Sequence, residues 1–250
     1  MPDTSGFLRP QAIRKAPAAV TRLAALATAF VLVVAPPLPA EAPPAASGAP
    51  TAGALFAVRV FDDVETGDRL VFRFQRIAEP EDPRVPTFDG TATVTLMDAE
   101  DRPGREAQVV IAAEDGPPRA GPPLPEAAGH PLLVVFLENI VGMMAAATGG
   151  NAAYIRSRLR EALWLEAEGE PAEVEIDGET RPARIIEARP FADDPARDEM
   201  AGFADLELRF LVSDAVPGRI ALLQWSSAAG NGLPAITDRI SYDRLEEGDG

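Results

Sequence analysis

The sequence predicts an α+β fold: a curved antiparallel β-sheet of about nine strands, with an αα-hairpin inserted in the chain and packed on one face. Apolar residues alternate at period two in short runs over residues 56–111 and again over residues 174–242. Between these blocks the spacing changes to the helical i, i+3, i+4, i+7 pattern, broken once by a pair of glycines. No internal repeat competes with this reading.

Phe56, Val58 and Val60 face opposite to Arg59, and Leu70, Phe72 and Phe74 face opposite to Arg73 and Gln75, so the sequence predicts two strands joined as a hairpin by DDVETGD. Ala92, Val94 and Leu96 alternate with Thr91, Thr93 and Thr95 in a third strand, whose threonine face is solvated or lines a groove. Val109 and Ile111 mark a fourth, and the Pro- and Gly-rich residues 116–125 close the block.

Pro131 suits the first turn of a helix in which Leu133, Phe136, Leu137, Ile140, Met143, Met144 and Ala147 keep helical spacing. Gly149 and Gly150 stop it, and Asn151 is a good N-cap for a second helix running to about residue 167. In that helix Ile155, Leu159, Ala162 and Leu163 share one face, while Arg156, Arg160 and Trp164 share another. The first helix is apolar on every side over residues 132–137. Glu138 and Asn139 interrupt that run well short of a membrane span, so it is expected to lie on the sheet.

In the last third, Val174 and Ile176 lead into Asp177-Gly178, a hairpin-turn pair, followed by a strand over residues 184–188. An acidic loop over residues 190–202 precedes the most regular strand, with Leu206, Leu208, Phe210 and Val212 inward and Asp205, Glu207 and Arg209 outward. Its inward side chains are expected to share a core with Phe136 and Ile140. Residues 219–225 and 236–242 form a terminal hairpin around AAGNGLP.

The N-terminus has the pattern of a secretory signal. Arg9, Arg14, Lys15 and Arg22 accompany a 13-residue apolar run, residues 23–35, whose only polar side chain is Thr28. A bilayer span needs ~20 residues, so a cleaved signal over residues 1–42 is favoured over an inner-membrane signal anchor, its alternative. Cleavage sites fall after Ala40, Ala42 or Ala46. Residues 43–53 then form an Ala/Pro-rich linker, residues 54–246 a single α+β domain and residues 247–250 a disordered tail. Arginine outnumbers lysine 22 to 1, the usage of a GC-rich bacterial genome, which points to the periplasm.

Scarce residue types exclude whole reaction classes. There is no cysteine, hence no disulfide, thiolate nucleophile or Cys-held metal or haem. Lys15, in the leader, is the only lysine, so the remainder forms no Schiff base and has no Walker-type phosphate lysine. His130 is the only histidine, which rules out a two-histidine metal site within one chain. Neither a cofactor nor a metal is expected. Without residues 1–42 the chain carries 37 acidic and 19 basic side chains. Such a surface repels nucleic acid and anionic headgroups.

The candidate sites are few. His130 with Ser226 or Ser227 suggests a hydrolase triad, but no Gly-x-Ser-x-Gly elbow accompanies them, and a histidine beside Pro131 reads as a capping or surface residue. Carboxylates cluster at Asp62, Asp63, Glu65 and Asp68 and at Asp193, Asp194, Asp198 and Glu199; neither has EF-hand spacing, so solvated loop charge is expected. The most distinctive segment is Thr148-Gly149-Gly150-Asn151 followed by Tyr154, Arg156, Arg158 and Arg160, positive in an acidic chain. A helix start beside guanidinium groups can hold an anion, unless the arginines pair with acids such as Glu161 or carboxylates on the sheet. Tyr154, Arg156 and Arg160 are therefore the candidate ligand-binding residues at a polar edge, with Met143 and Met144 as adaptable apolar surface.

Two functions follow as expectations. The first is a noncatalytic, exported binding or envelope-assembly module, its partner a lipid or other amphipathic anionic ligand or an envelope protein. The alternative is a carboxylate-dependent hydrolase of the periplasm. An apolar groove beneath the hairpin marks the first, and a cleft with two carboxylates about 5 to 10 Å apart the second.

Overall fold

The alternating runs become strands that follow one another as antiparallel neighbours. In the computed structural model, which describes Gly53, Leu55, Phe56 and residues 59–248 apart from Asp115, ten strands form one sheet. The expected signal, residues 1–42, and its linker up to residue 52 lie outside the described residues, as do Asp249 and Gly250.

Strands β1 (Arg69–Glu79), β2 (Phe88–Asp98) and β3 (Arg105–Ala113) form a meander, and the short β4 (Arg119–Ala120) and β5 (Leu124–Pro125) both pair with β3. The helices α1 (Pro131–Thr148) and α2 (Ala152–Glu161) follow. Strands β6 (Glu168–Ile176), β7 (Glu179–Ala188), β8 (Glu207–Val212), β9 (Ile220–Ser227) and β10 (Ala235–Glu246) make a second meander. Across the sheet the order is β4-β3-β2-β1-β10-β9-β8-β7-β6, with every pairing antiparallel. The path therefore starts at mid-sheet, works out to one edge, crosses by the helical hairpin to the other edge, and works back until β10 lies beside β1.

The strand expected through Phe56, Val58 and Val60 is corrected at its far end, Arg59 and Val60, while Ala57 and Val58 lie outside the described residues. Arg59 has φ 69°, and Val60 enters a turn closed by the Val64 amide donating to the Phe61 carbonyl at 3.1 Å. Val60, Phe61 and Val64 are nevertheless buried, so their apolar pattern records a packed turn rather than an extended run. β10 takes the place beside β1 that the hairpin would have filled. The two short strands β4 and β5, in a segment expected to be loop, bring the number to ten.

Local chemistry sets the element ends. Pro131 occupies the first turn of α1, and Gly149 ends it with φ 70° and ψ 10°, a left-handed cap whose amide donates to Ala145 O. The Asn151 side chain accepts from the Ala153 and Tyr154 amides at 2.8 and 3.4 Å. After Glu161 the coil widens into a π-helical turn, Ala162–Glu166, closed by the Ala167 amide on the Ala162 carbonyl at 2.8 Å. Asp177 and Gly178 both have positive φ, 53° and 77°, as a two-residue hairpin turn requires.

One face of the sheet is buried under the hairpin. Leu206, Leu208, Phe210 and Val212 all point into the same core as Phe136 and Ile140, and the rings of Phe136 and Phe210 meet edge-on with centroids 6.0 Å apart. The other face is uncovered and polar. Along one register row, Glu187, Arg209, Gln224, Arg239, Gln75 and Asp89 sit side by side across adjacent strands. Arg239 donates to Gln224, and Gln75 to Asp89, each at 3.2 Å.

The β6 edge is blunted. Counting back from the two-residue turn, Gly169, Pro171, Glu173 and Glu175 direct their backbones away from β7. The proline offers no N–H there, and the glutamates repel another copy of the same edge.

Candidate functional site

The outer side of the hairpin carries the residues singled out in the sequence. Tyr154 and Arg158, one turn apart on α2, reach the same buried carboxylate: the Tyr154 hydroxyl donates to Asp194 at 2.8 Å and the Arg158 Nε at 2.7 Å. The Ala196 amide donates to Asp194 as well, at 2.8 Å, so α2 is clamped to the loop that follows β7. Burial by itself raises the Asp194 carboxyl, but these three donors together hold it below the usual carboxylate range. The same contact holds the Tyr154 phenol above its ordinary range.

Arg156 makes a two-pronged pair with Glu138 of α1, at 2.6 and 2.7 Å, which lowers the Glu138 carboxyl and ties the two helices together. Arg160 is exposed. Met143 is half-buried, and Met144 is fully buried in the core with Phe136 and Ile140. The structure thus gives Tyr154 and Arg156 separate protein carboxylates, and it turns Met144 away from the surface where Arg160 lies.

Residues not singled out as a site complete this surface. The π-helical turn leaves two consecutive large apolar side chains in solvent, Trp164 at 52% and Leu165 at 78% exposure. Phe56 stacks on Trp164 with ring centroids 5.1 Å apart and planes 4° from parallel. Trp164 and Leu165 thus leave apolar side chains in solvent beside the stacked Phe56.

His130 is a second correction. It does occupy the N-cap position of α1, its carbonyl accepting from the Leu133 and Val134 amides, but the residue is 2% exposed rather than at the surface, its side chain makes no capping hydrogen bond, and neither ring nitrogen has a partner. Phe61 lies 5.0 Å away by ring centroids and Phe72 6.2 Å, the latter edge-on. Desolvation pushes the imidazole down to about 3, so it is neutral at pH 7. A histidine without a hydrogen-bond partner activates no hydroxyl, and no triad with Ser226 or Ser227 exists.

No protein-family model matches the chain, and no curated protein matches it.

In each carboxylate cluster one member is buried and held by the protein, while Asp62, Asp63, Glu65, Asp193, Asp198 and Glu199 are exposed. Asp68 accepts from the Glu65 and Gly248 amides, each at 2.9 Å, and Asp194 belongs to the α2 clamp. Among the described residues no group of three His, Asp or Glu is placed to hold a metal ion. A cleft of about 550 Å³ opens on the uncovered sheet face beside Arg73, Gln75, Asp89, Thr91, Glu114 and Asp243. It contains three carboxylates, but Gln75 engages Asp89, while Arg73 at 3.6 Å and Arg244 at 2.5 Å flank Asp243.

Proposed function

We propose that this protein is an exported, noncatalytic binding or assembly module of the cell envelope, working through the outer side of its helical hairpin. The observation that carries this reading is the contiguous apolar surface of Phe56, Trp164 and Leu165 at the end of an arginine-bearing helix, on a chain of net charge −16. An amphipathic ligand with an acidic headgroup fits that arrangement. Its apolar part lies on Trp164 and Leu165, while Arg160 on the adjoining turn meets the headgroup. This moves the apolar contact from beneath the hairpin, where Met144 and Phe136 are packed into the core, to its outer side.

The two tryptophans make the reading testable. Trp225 is fully buried and Trp164 is half exposed, so a change in emission on ligand addition reports Trp164. Titration with monomeric dodecyl phosphate is expected to shift the emission to the blue and to yield a one-to-one complex in native mass spectrometry, and Trp164→Ala with Leu165→Ser is expected to lose both. No shift and no complex with the wild type would overturn the binding function.

Export makes a separate prediction. The basic residues and the short apolar run near the N-terminus lead us to expect that mass spectrometry of the periplasmic fraction finds a mature N-terminus between residues 41 and 47. An intact chain from Met1 in the inner membrane would be the contrary result.

A further inference from the structure

The His130 ring lies where the start of α1, the Val60–Val64 turn, the middle of β1 and the turn before β9 meet. Phe61 and Phe72 pack on it, and the space is tight: a Cβ added at Gly218 would come within 2.9 Å of Phe61 and 3.2 Å of His130 Nε2. An imidazole always carries at least one N–H, and here that donor and the ring's acceptor nitrogen are both buried without partners. Such a group weakens the packing it occupies when a same-sized apolar side chain would not.

The ionisable groups on the surrounding elements are engaged elsewhere or face solvent. Asp62 and Asp63 beside Phe61 are exposed, and Arg73 beside Phe72 lies on the opposite sheet face. Arg219 pairs with Asp214 at 3.5 Å, and Glu126 pairs with Arg105, whose guanidinium also donates to the Phe61 and Val64 carbonyls. Glu138 on α1 is held by Arg156, and Tyr242, which packs edge-on against Phe72, is half-buried. None of them gives a protonated ring a counter-charge.

We propose that His130 is an acid-sensitive latch: proton uptake by its imidazole releases the start of α1 and the Val60–Val64 turn from the sheet, while the strands stay paired. The opened site exposes the ring to water, where it regains an ordinary histidine affinity for protons, near 6.5, against about 3 when closed. Because the closed form binds the proton more weakly, closure is at full strength above pH 6.5 and weakens as pH falls from there toward 3. Between pH 7 and pH 5 the open population rises on the order of 25-fold by this linkage. For an exported protein, whose surroundings follow the outside medium, the latch makes the hairpin responsive to acid.

As the chain's only histidine, His130 gives an unambiguous imidazole C2–H resonance. In the folded wild type that resonance is expected to stay unshifted from pH 8 to pH 5; an ordinary titration near 6.5 in the closed form would overturn the latch. Hydrogen exchange on the full chain supplies the second readout. Amides of residues 61–64 and 131–137 are expected to exchange faster at pH 5 than at pH 7 after correction for intrinsic rates, those of β8 to β10 to hold, and His130→Leu or His130→Met to remove the difference. An equal acid response in wild type and a folded variant would show that carboxylates, not His130, control the opening. Where one variant fails to fold, the other and the wild-type resonance still decide.

Discussion

Phe210→Ala is expected to cost about 3 to 5 kcal/mol of stability. Phe210 is fully buried near the middle of β8, flanked by β7 and β9, and its ring meets Phe136 of α1 across the sheet-to-helix interface. Truncation removes the apolar area and leaves a cavity that strands paired on both sides cannot collapse to fill. Leu211, next along the chain but half-buried on the uncovered face, provides the internal control: Leu211→Ala is expected to cost roughly 1 kcal/mol. Urea denaturation of both variants measures the contrast, and equal losses would mean that the hairpin does not pack against β8 as described.

Asp238→Ala should be comparably severe for an electrostatic reason. Asp238 lies with Ile236 and Ile240 on the core-facing side of β10 and is wholly inaccessible. Directly opposite in register, Arg76 of β1 meets it with two nitrogens at 2.6 Å, and Asn139 of α1 approaches at 3.5 Å. Removing the carboxylate strands a guanidinium that is 18% exposed, an expected loss of about 3 to 5 kcal/mol. Replacing both, Arg76→Met with Asp238→Leu, is expected to recover most of it, because an apolar pair of similar volume leaves no uncompensated charge. A double variant as unstable as the single one would refute this account. The pair also opposes slippage, since a two-residue shift of β10 along β1 would set Asp238 against Phe74 or Ala78.

What the sequence reveals is what local physics decides. The strict alternation from Leu206 to Val212, the Asp177-Gly178 turn, and the succession of Gly149 and Asn151 between helices each depend on a few adjacent residues, and all appear in the structure. The end of the first expected strand is not legible because an apolar Val60 fits a buried turn as well as a strand, and the left-handed Arg59 leaves no compositional trace. The Arg76–Asp238 pair was illegible because charged residues read as surface until their partners are known. His130 beside Pro131 is legible as the cap position of α1, but the burial of its ring is not, because the aromatic residues that enclose it lie far away in the chain. At the candidate site, Tyr154 and Arg156 were recognisable as a polar cluster, but the exposure of Trp164 and Leu165 depends on a widened helical turn that breaks the 3.6-residue phase on which the reading relied.

The neighbouring of β1 and β10 at mid-sheet has a consequence for the order of assembly. Of the described strands, β1 leaves the ribosome first and β10 last. The first meander can form early, but the RLVFRF side of β1 lacks a neighbour until residues 235–246 arrive, and the second meander lacks its inner boundary for the same interval. Contacts so distant in sequence are closed late and slowly, and an unpaired apolar strand edge in the meantime invites aggregation. Termination anywhere before Ala235 strands two half-sheets that cannot complete each other, so the last described strand acts as a quality gate for the whole domain.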